Sequence, residues 1–298
     1  MSRDGLVLSR EGSQYRVLTP EGEVIASLRG KAKRQEEKAV AGDHVKVEAS
    51  ATGWAIASVD PRTNVLERRV PGGRGTRPIA ANLDRVFVMA AARDPEPIPQ
   101  LLDRLLVLAE ANDIPAAVIV NKLDLDPGQV LIRRMERAGY EVFPVCVRQR
   151  IGLEPLFARM RTLVSVVTGP SGVGKSSLLN ALQPGLTLRT GEISERIGRG
   201  KNITVAAVMI PLESGGYLVD TPGFSDVGLW GLDPAQLVQS FPDLSRHAGQ
   251  CRFPDCQHLT EPGCTIREAV VAGLVDRDRY ESYRVLADEL RNLPPDWA

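Results

Sequence analysis

Gly169-Pro170-Ser171-Gly172-Val173-Gly174-Lys175-Ser176 fits the pattern G-x-x-x-x-G-K-[ST], and this octapeptide constrains the fold more than any other stretch of the chain. The pattern has a purpose only between a strand and a helix. Its glycines let successive backbone N–H groups turn inward around phosphates, and the helix start adds partial positive charge. Both flanks read that way: residues 164–168 are an apolar strand and residues 175–182 have helical spacing. The candidate phosphate contacts are Gly169, Ser171, Gly172, Val173, Gly174, Lys175, Ser176 and Ser177. Lys175 reaches toward the β- and γ-phosphates, and the Ser176 hydroxyl is a Mg²⁺ ligand.

A strand–loop–helix unit of this kind needs a parallel sheet around it, and the neighbouring sequence supplies one. Residues 86–91 form a continuous apolar run, 98–111 have helical spacing, 116–120 form a second buried run, 129–138 read as a helix, and 142–145, 205–211 and 217–220 as strands. Such alternation defines an α/β domain with a mostly parallel sheet. Residues 1–69 are different. Five short strand candidates (5–9, 14–18, 24–28, 44–48, 53–59) are punctuated by Gly, Pro, Asp and Ser, as expected of an OB-fold β-barrel. Residues 70–78 read as a basic linker. From 231 the chain turns loop-rich and helical, with helices expected over 267–274 and 276–290. The expected domains are therefore 1–69, 70–230 and 231–298, a division that 298 residues can accommodate.

Two further motifs lie at strand ends. Asn121-Lys122-Leu123-Asp124 follows the 116–120 run and matches N-K-x-D. Guanine presents N1–H and a 2-amino group side by side, and one carboxylate, Asp124, can accept both. Adenine has no such pair and would leave that carboxylate unpaired. Asn121 and Lys122 would brace the base and the phosphate loop. Asp220-Thr221-Pro222-Gly223 follows the 216–219 strand. Asp220 there can hold Mg²⁺ through water, and the Gly223 backbone N–H can approach a γ-phosphate closely. A third cluster, Cys251-x4-Cys256-x-His258-x5-Cys264, gathers three thiols and one imidazole in fourteen residues. Cys₃His closes a tetrahedral Zn²⁺ shell of the structural kind, with no open position. His247 is a nearby rival ligand, more simply a surface residue, and His44 lies in a barrel strand. Lys+Arg and Asp+Glu both number 37, so any nucleic-acid surface must be local. No apolar run approaches the roughly 18–20 residues of a membrane span, and the first residues do not form a secretory signal. The address expected is cytoplasmic, with reduced cysteines.

The motif order is unusual for a GTP-binding domain: N-K-x-D precedes the phosphate loop, and D-T-P-G comes last. With the five-strand N-terminal segment and the downstream Cys/His cluster, the chain resembles the RsgA (YjeQ) family of circularly permuted GTPases. The resemblance extends to the runs 80–84, 171–180 and 220–224. It implies GTP hydrolysis to GDP and phosphate stimulated by the small ribosomal subunit, and a part in late maturation of that subunit. It also implies one structural Zn²⁺ per chain, Mg²⁺ with GTP or GDP, contact with rRNA, no membrane, and a monomer. Arg29, Lys31, Lys33, Arg34 and Arg74 are candidate rRNA phosphate contacts.

The chain departs from the family in switch I, where Gly-x-His-Thr-Thr is usual. Asn202 takes the place of the His and Ile203 that of the first Thr, while Thr204 remains as the second Mg²⁺ hydroxyl. Asn202 can orient a water but cannot titrate near neutrality. Phe224 stands where Ras-like proteins carry a water-orienting Gln, so intrinsic turnover should be slow. Cys146 occupies the place of a guanine-backing Ser, or is a core thiol. These departures leave a second reading open, a GTP- and RNA-binding switch with little hydrolysis. A permuted GTPase of the large ribosomal subunit is a third, opposed by the barrel and the Cys₃His cluster.

Overall fold

The computed structural model describes residues 2–28, 38–50, 53–69, 76–183, 207–220, 232 and 234–292. Strands β1 (Ser2–Glu11), β2 (Gln14–Thr19), β3 (Gly22–Leu28), β4 (His44–Ser50) and β5 (Gly53–Val59) close into a barrel in the order β1-β2-β3-β5-β4. Only β3 and β5 are parallel, and β1 closes the ring on β4. Period-two alternation explains the closure: Tyr15 and Val17 point inward with Val7, Ala26, Val45, Val47 and Ile56, while Gln14 and Arg16 point away.

After the barrel, β6 (Val65–Arg69) pairs antiparallel with β7 (Thr76–Ala81). This corrects the expected linker over 70–78, because Thr76, Arg77 and Pro78 belong to a strand. The hairpin spans the expected 69/70 boundary. It is also stapled to the barrel. Asn82 Nδ2 donates to Gly42 O at 2.8 Å, and its Oδ1 accepts Thr63 N–H at 2.8 Å. Gly42 is obligatory there, since a Cβ would stand 2.0 Å from Ala81 O.

The central sheet has the order β10-β9-β8-β11-β13-β12, formed by β8 (Arg85–Ala91), β9 (Ala116–Asn121), β10 (Glu141–Pro144), β11 (Val164–Thr168), β12 (Val208–Pro211) and β13 (Tyr217–Asp220). All neighbours are parallel except the edge strand β12. Counted from β11, the spatial order is 2-3-1-4-5-6: an ordinary doubly wound sheet whose chain begins at its fourth strand. Strand β8 shows why the sequence reads as continuously apolar. Val86, Val88 and Ala90 enter the core on one face, and Phe87, Met89 and Ala91 enter that on the other.

One face is covered by α3 (Leu153–Met160) and α4 (Lys175–Leu182), the other by α1 (Pro99–Glu110) and α2 (Gln129–Ala138). Helix α3 was not expected from the sequence. The C-terminal region consists of a 3₁₀ turn (Leu237–Ser240), α5 (Pro242–Ser245), α6 (Thr265–Val271) and α7 (Arg277–Asn292). It packs onto α1, whose buried residues include Asp103 as well as six apolar side chains.

Candidate nucleotide site and thiolate cluster

Strand β11 delivers the phosphate loop to the carboxyl edge of the sheet, and the loop's glycines answer to close neighbours. Gly169 has φ +146°, and a Cβ on it would meet Met89 O at 2.1 Å. Gly174 has φ +103° and would drive a Cβ to 2.4 Å from Asn121 Nδ2. Lys175 begins α4 and curls back over the loop, donating to Gly169 O at 2.7 Å and Pro170 O at 2.8 Å. Burial lowers its pKa. Val173 is buried beneath the loop, whereas Ser171, Gly172 and Ser177 face outward and Ser176 is half-buried.

Asn121, the last residue of β9, joins three loops. Its Nδ2 donates to Val173 O at 2.8 Å, and its Oδ1 accepts Val147 N–H at 3.0 Å. At 4% exposure it replaces water for both groups. Lys122 donates through Nζ to Asp94 O. Asp124 is exposed, and its Oδ1 accepts the Cys146 thiol at 3.2 Å. Cys146 is 2% exposed and fixed by paired backbone bonds with Ile151 at 3.0 Å. It is thus both a core thiol and a neighbour of Asp124.

Asp220 ends β13. The β11–β13 register, carried two residues on, sets it level with Val167, one residue short of the phosphate loop's strand end. Burial pushes its carboxyl up to about 6. The remaining parts of this expected machinery, Asn202, Ile203 and Thr204 in switch I together with Thr221, Pro222, Gly223 and Phe224, lie outside the described residues, as do Arg29, Lys31, Lys33, Arg34 and Arg74.

The β8–α1 loop is a wall of the site that the sequence reading missed. Asp94 O receives Lys122. A Cβ on Gly172 would lie 3.6 Å from Pro95 Cδ. Ala92 N–H donates to Asn121 O at 2.8 Å. The available signal was positional: the loop leaves the carboxyl end of β8 beside β11, where the direction of the sheet's connections reverses.

The ligand atoms of Cys251, Cys256, His258 and Cys264 all lie within 4.8 Å of one another. Cys251 Sγ and Cys264 Sγ each stand 3.5 Å from His258 Nδ1. A tetrahedral zinc with bonds of about 2.3 Å to sulfur and 2.0–2.1 Å to nitrogen requires S···N edges of about 3.5 Å, so the donor set fits that ion. Burial lowers the pKa of His258, favouring the neutral imidazole a metal needs. The loop is held from outside. Glu261 accepts backbone N–H groups of Gln257, Leu259 and Thr260 at 2.9–3.0 Å. Burial acts to raise its carboxyl, and backbone amides outweigh burial, holding it at about 2. Tyr280 and Tyr283 hydroxyls donate at 2.8 Å to His258 O and Gln257 O. His247 takes part through its carbonyl, which accepts the Thr265 hydroxyl, and its ring is not among the four ligands.

Fold and site together define a class: a circularly permuted P-loop domain with a five-stranded barrel before it and a Cys₃His module after it. The family model of the RsgA GTPases matches residues 59–230. The Small ribosomal subunit biogenesis GTPase RsgA of Gemmatimonas aurantiaca is 45% identical over 300 residues, covering 97% of this chain and 98% of that one. Its namesake from Moorella thermoacetica is 38% identical, covering 96% and 97%. Among solved structures, YjeQ from Thermotoga maritima superposes with a TM-score of 0.81 at 33% identity, covering 99% of this chain and all of that one. YloQ, described as a circularly permuted GTPase, gives 0.80 at 27%, covering 99% and 97%. The chain belongs to the RsgA GTPase family.

Proposed function

We propose that this GTPase binds the small ribosomal subunit during its late maturation and hydrolyses GTP to GDP and phosphate when the subunit stimulates it. The relatives' shared name supports the biological setting. The observation that carries the chemistry is Asn121. Its two hydrogen bonds draw the phosphate loop, the N-K-x-D loop and the Cys146 loop to one edge of the sheet.

In this reading Asp124 accepts the guanine N1–H and 2-amino protons while Cys146 holds its other side. Lys175 leaves its loop carbonyls for the β- and γ-phosphates, whose bridging and terminal oxygens also meet the backbone N–H groups of residues 171–177. Ser176 and Thr204 hydroxyls and, through water, the Asp220 carboxylate would hold Mg²⁺. When bound, that ion neutralises charge building on the phosphates. The Gly223 N–H contacts the γ-phosphate, and Asn202 orients the attacking water. Cys251, Cys256, His258 and Cys264 hold a zinc ion that organises the C-terminal region in place of a larger core. The barrel and this module contact rRNA on either side of the nucleotide domain, and the protein acts as a cytoplasmic monomer. Among the described residues no helix is long and apolar enough to cross a membrane. Single-turnover GTP hydrolysis by the protein alone, with purified small subunits and with purified large subunits tests the proposal. Stimulation by small but not large subunits is expected. Equal rates in all three conditions would overturn it in favour of a binding switch.

A further inference from the structure

Helix α1 is buried on its sheet face and also on the opposite face, where α7 lies. At that second interface charged groups meet out of contact with water. Arg279 of α7 is 0% exposed. Its Nη1 donates to Asp103 Oδ1 of α1 at 2.7 Å, and its Nε and Nη2 donate to the two carboxylate oxygens of Asp243 in α5 at 3.1 and 2.6 Å. Phe241 and Tyr140 rings lie 4.8 and 5.5 Å from the guanidinium carbon. A second arginine crosses in the opposite sense. Arg134 of α2 stands 3.5 Å from Asp103 Oδ2, 3.3 Å from Asp276 and 3.4 Å from Asp278. Asp103 therefore sits between two arginines, one from each side of the interface. Outer pairs continue the contact: Arg104 with Glu289, and Arg137 with the Gly273 carbonyl.

The position of this network along the helices matters. Asp103 lies five residues into α1 from Ile98, and Arg134 six residues into α2 from Gly128, distances of about 7–9 Å at 1.5 Å per residue. The loops ahead of these helices both line the nucleotide site. One carries Asp94 and Pro95 against Lys122 and Gly172, the other carries Lys122 and Asp124. A rigid turn or two of helix joins each clamped residue to its loop.

We propose that Arg279 is a positioning residue for the guanine pocket. By tying α1 to α5 and, through Asp103 and Arg134, to α2, it keeps the two loops in their mutual geometry, so the C-terminal module sets how long guanine nucleotide stays bound. This rests on the reading of Asp124 as the guanine acceptor. The phosphate loop is carried by α4 on the other face of the sheet and meets the braced loops through Pro95 and Asn121, so the brace acts first on the guanine side.

The test uses the full chain loaded with zinc. Release of a fluorescent GDP analogue is followed after chase with unlabelled GDP, for the wild type, Arg279→Met and Asp103→Asn. Release at least tenfold faster in both variants is expected, with single-turnover hydrolysis at saturating GTP within twofold of wild type. A merely structural role would not give the reciprocal effect. GDP should slow amide hydrogen exchange along α7 in the wild type, and Arg279→Met should abolish that slowing. Release within twofold of wild type from a variant of wild-type zinc content and circular dichroism would overturn the proposal. Where Arg279→Met fails to fold, Arg134→Met is judged by the same two limits. A wild-type chain with no saturable GDP binding would remove the guanine reading as well, whereas normal binding with unchanged release removes this inference alone.

Discussion

Asp124→Asn separates guanine recognition from everything else the chain does. The carboxylate is exposed, so the substitution should change folding stability by no more than about 0.5 kcal/mol. Its effect belongs in affinity. Cys146 is buried and donates to Oδ1 at 3.2 Å, which fixes that side of residue 124 as an acceptor. An asparagine keeps that bond by turning its carbonyl oxygen toward the thiol, which aims its Nδ2 donors at the two guanine donors. Two hydrogen bonds to a charged group, each of about 1.5–3 kcal/mol, are then lost. At 1.4 kcal/mol per decade, GDP affinity should fall by about 10²–10⁴. Xanthine carries a carbonyl where guanine has its amine and gives Nδ2 an acceptor, so xanthosine diphosphate should gain affinity in the variant. Equilibrium titration with fluorescent GDP, competed by xanthosine diphosphate and ADP, measures all three. GDP affinity within threefold of wild type, with an unchanged preference over ADP, would refute the assignment of Asp124.

Lys175→Ala should weaken GTP binding beyond the micromolar range in the same titration, and retained micromolar affinity would contradict the phosphate assignment. Asp220 offers a pH test. Its carboxyl is raised to about 6 from 3.8, so the folded chain binds this proton more tightly than the unfolded one. Its stabilising contribution is complete below about pH 4 and is lost as pH rises through 6, leaving a penalty of at most about 3 kcal/mol at pH 7.5 without a cation. Asp220→Asn should therefore melt several degrees higher than wild type at pH 7.5 without metal or nucleotide. That gap should close toward pH 4.5, and subunit-stimulated hydrolysis should drop at least tenfold. An equal gap at both pH values would refute the buried-carboxylate argument. Chelation should release one zinc per chain and raise hydrogen exchange in α6 and α7 while leaving barrel amides protected; protection unchanged throughout would show that the cluster does not organise this region.

The parts of this molecule legible in its sequence are those whose signal is local. The apolar run 86–91 announces a strand buried on both faces, and β8 serves both cores residue by residue. Helix α2 reads cleanly because left-handed Gly128 and Gly139 bracket an amphipathic decapeptide. Helix α3 does not, because Pro155 looks like a breaker, although the first helical turn tolerates it. Residues 76–78 read as linker because their partner, β6, lies across a basic stretch, and Pro78 fits a strand at the edge of a two-stranded ribbon. Helix α6 starts at Thr265, two residues before its expected start, directly after the ligand Cys264. The β8–α1 loop contributes a carbonyl and a proline ring, neither of which a motif search can see. Arg279 and Asp103 are ordinary charged helix residues until packing removes their water.

Strand order explains how these pieces work as one chain. Beginning the sheet at its fourth strand leaves the folded domain unchanged and moves the covalent exits. The barrel and hairpin lead into β8 at the sheet's centre, and the chain leaves the sheet after Asp220, beside the phosphate loop. The C-terminal module then packs on α1 and α2, on the face opposite α4. Asp220, where the chain leaves the sheet, is thus at the phosphate edge, and the module's ionic contacts with α1 and α2 lie behind the loops that enter those helices. In the unpermuted order, the strand corresponding to β13 would lead on toward β8, and the chain would not leave the sheet after Asp220. Permutation therefore puts one covalent exit of the domain beside the phosphate loop, while the region that follows is held by Arg279 against α1 on the opposite face of the sheet.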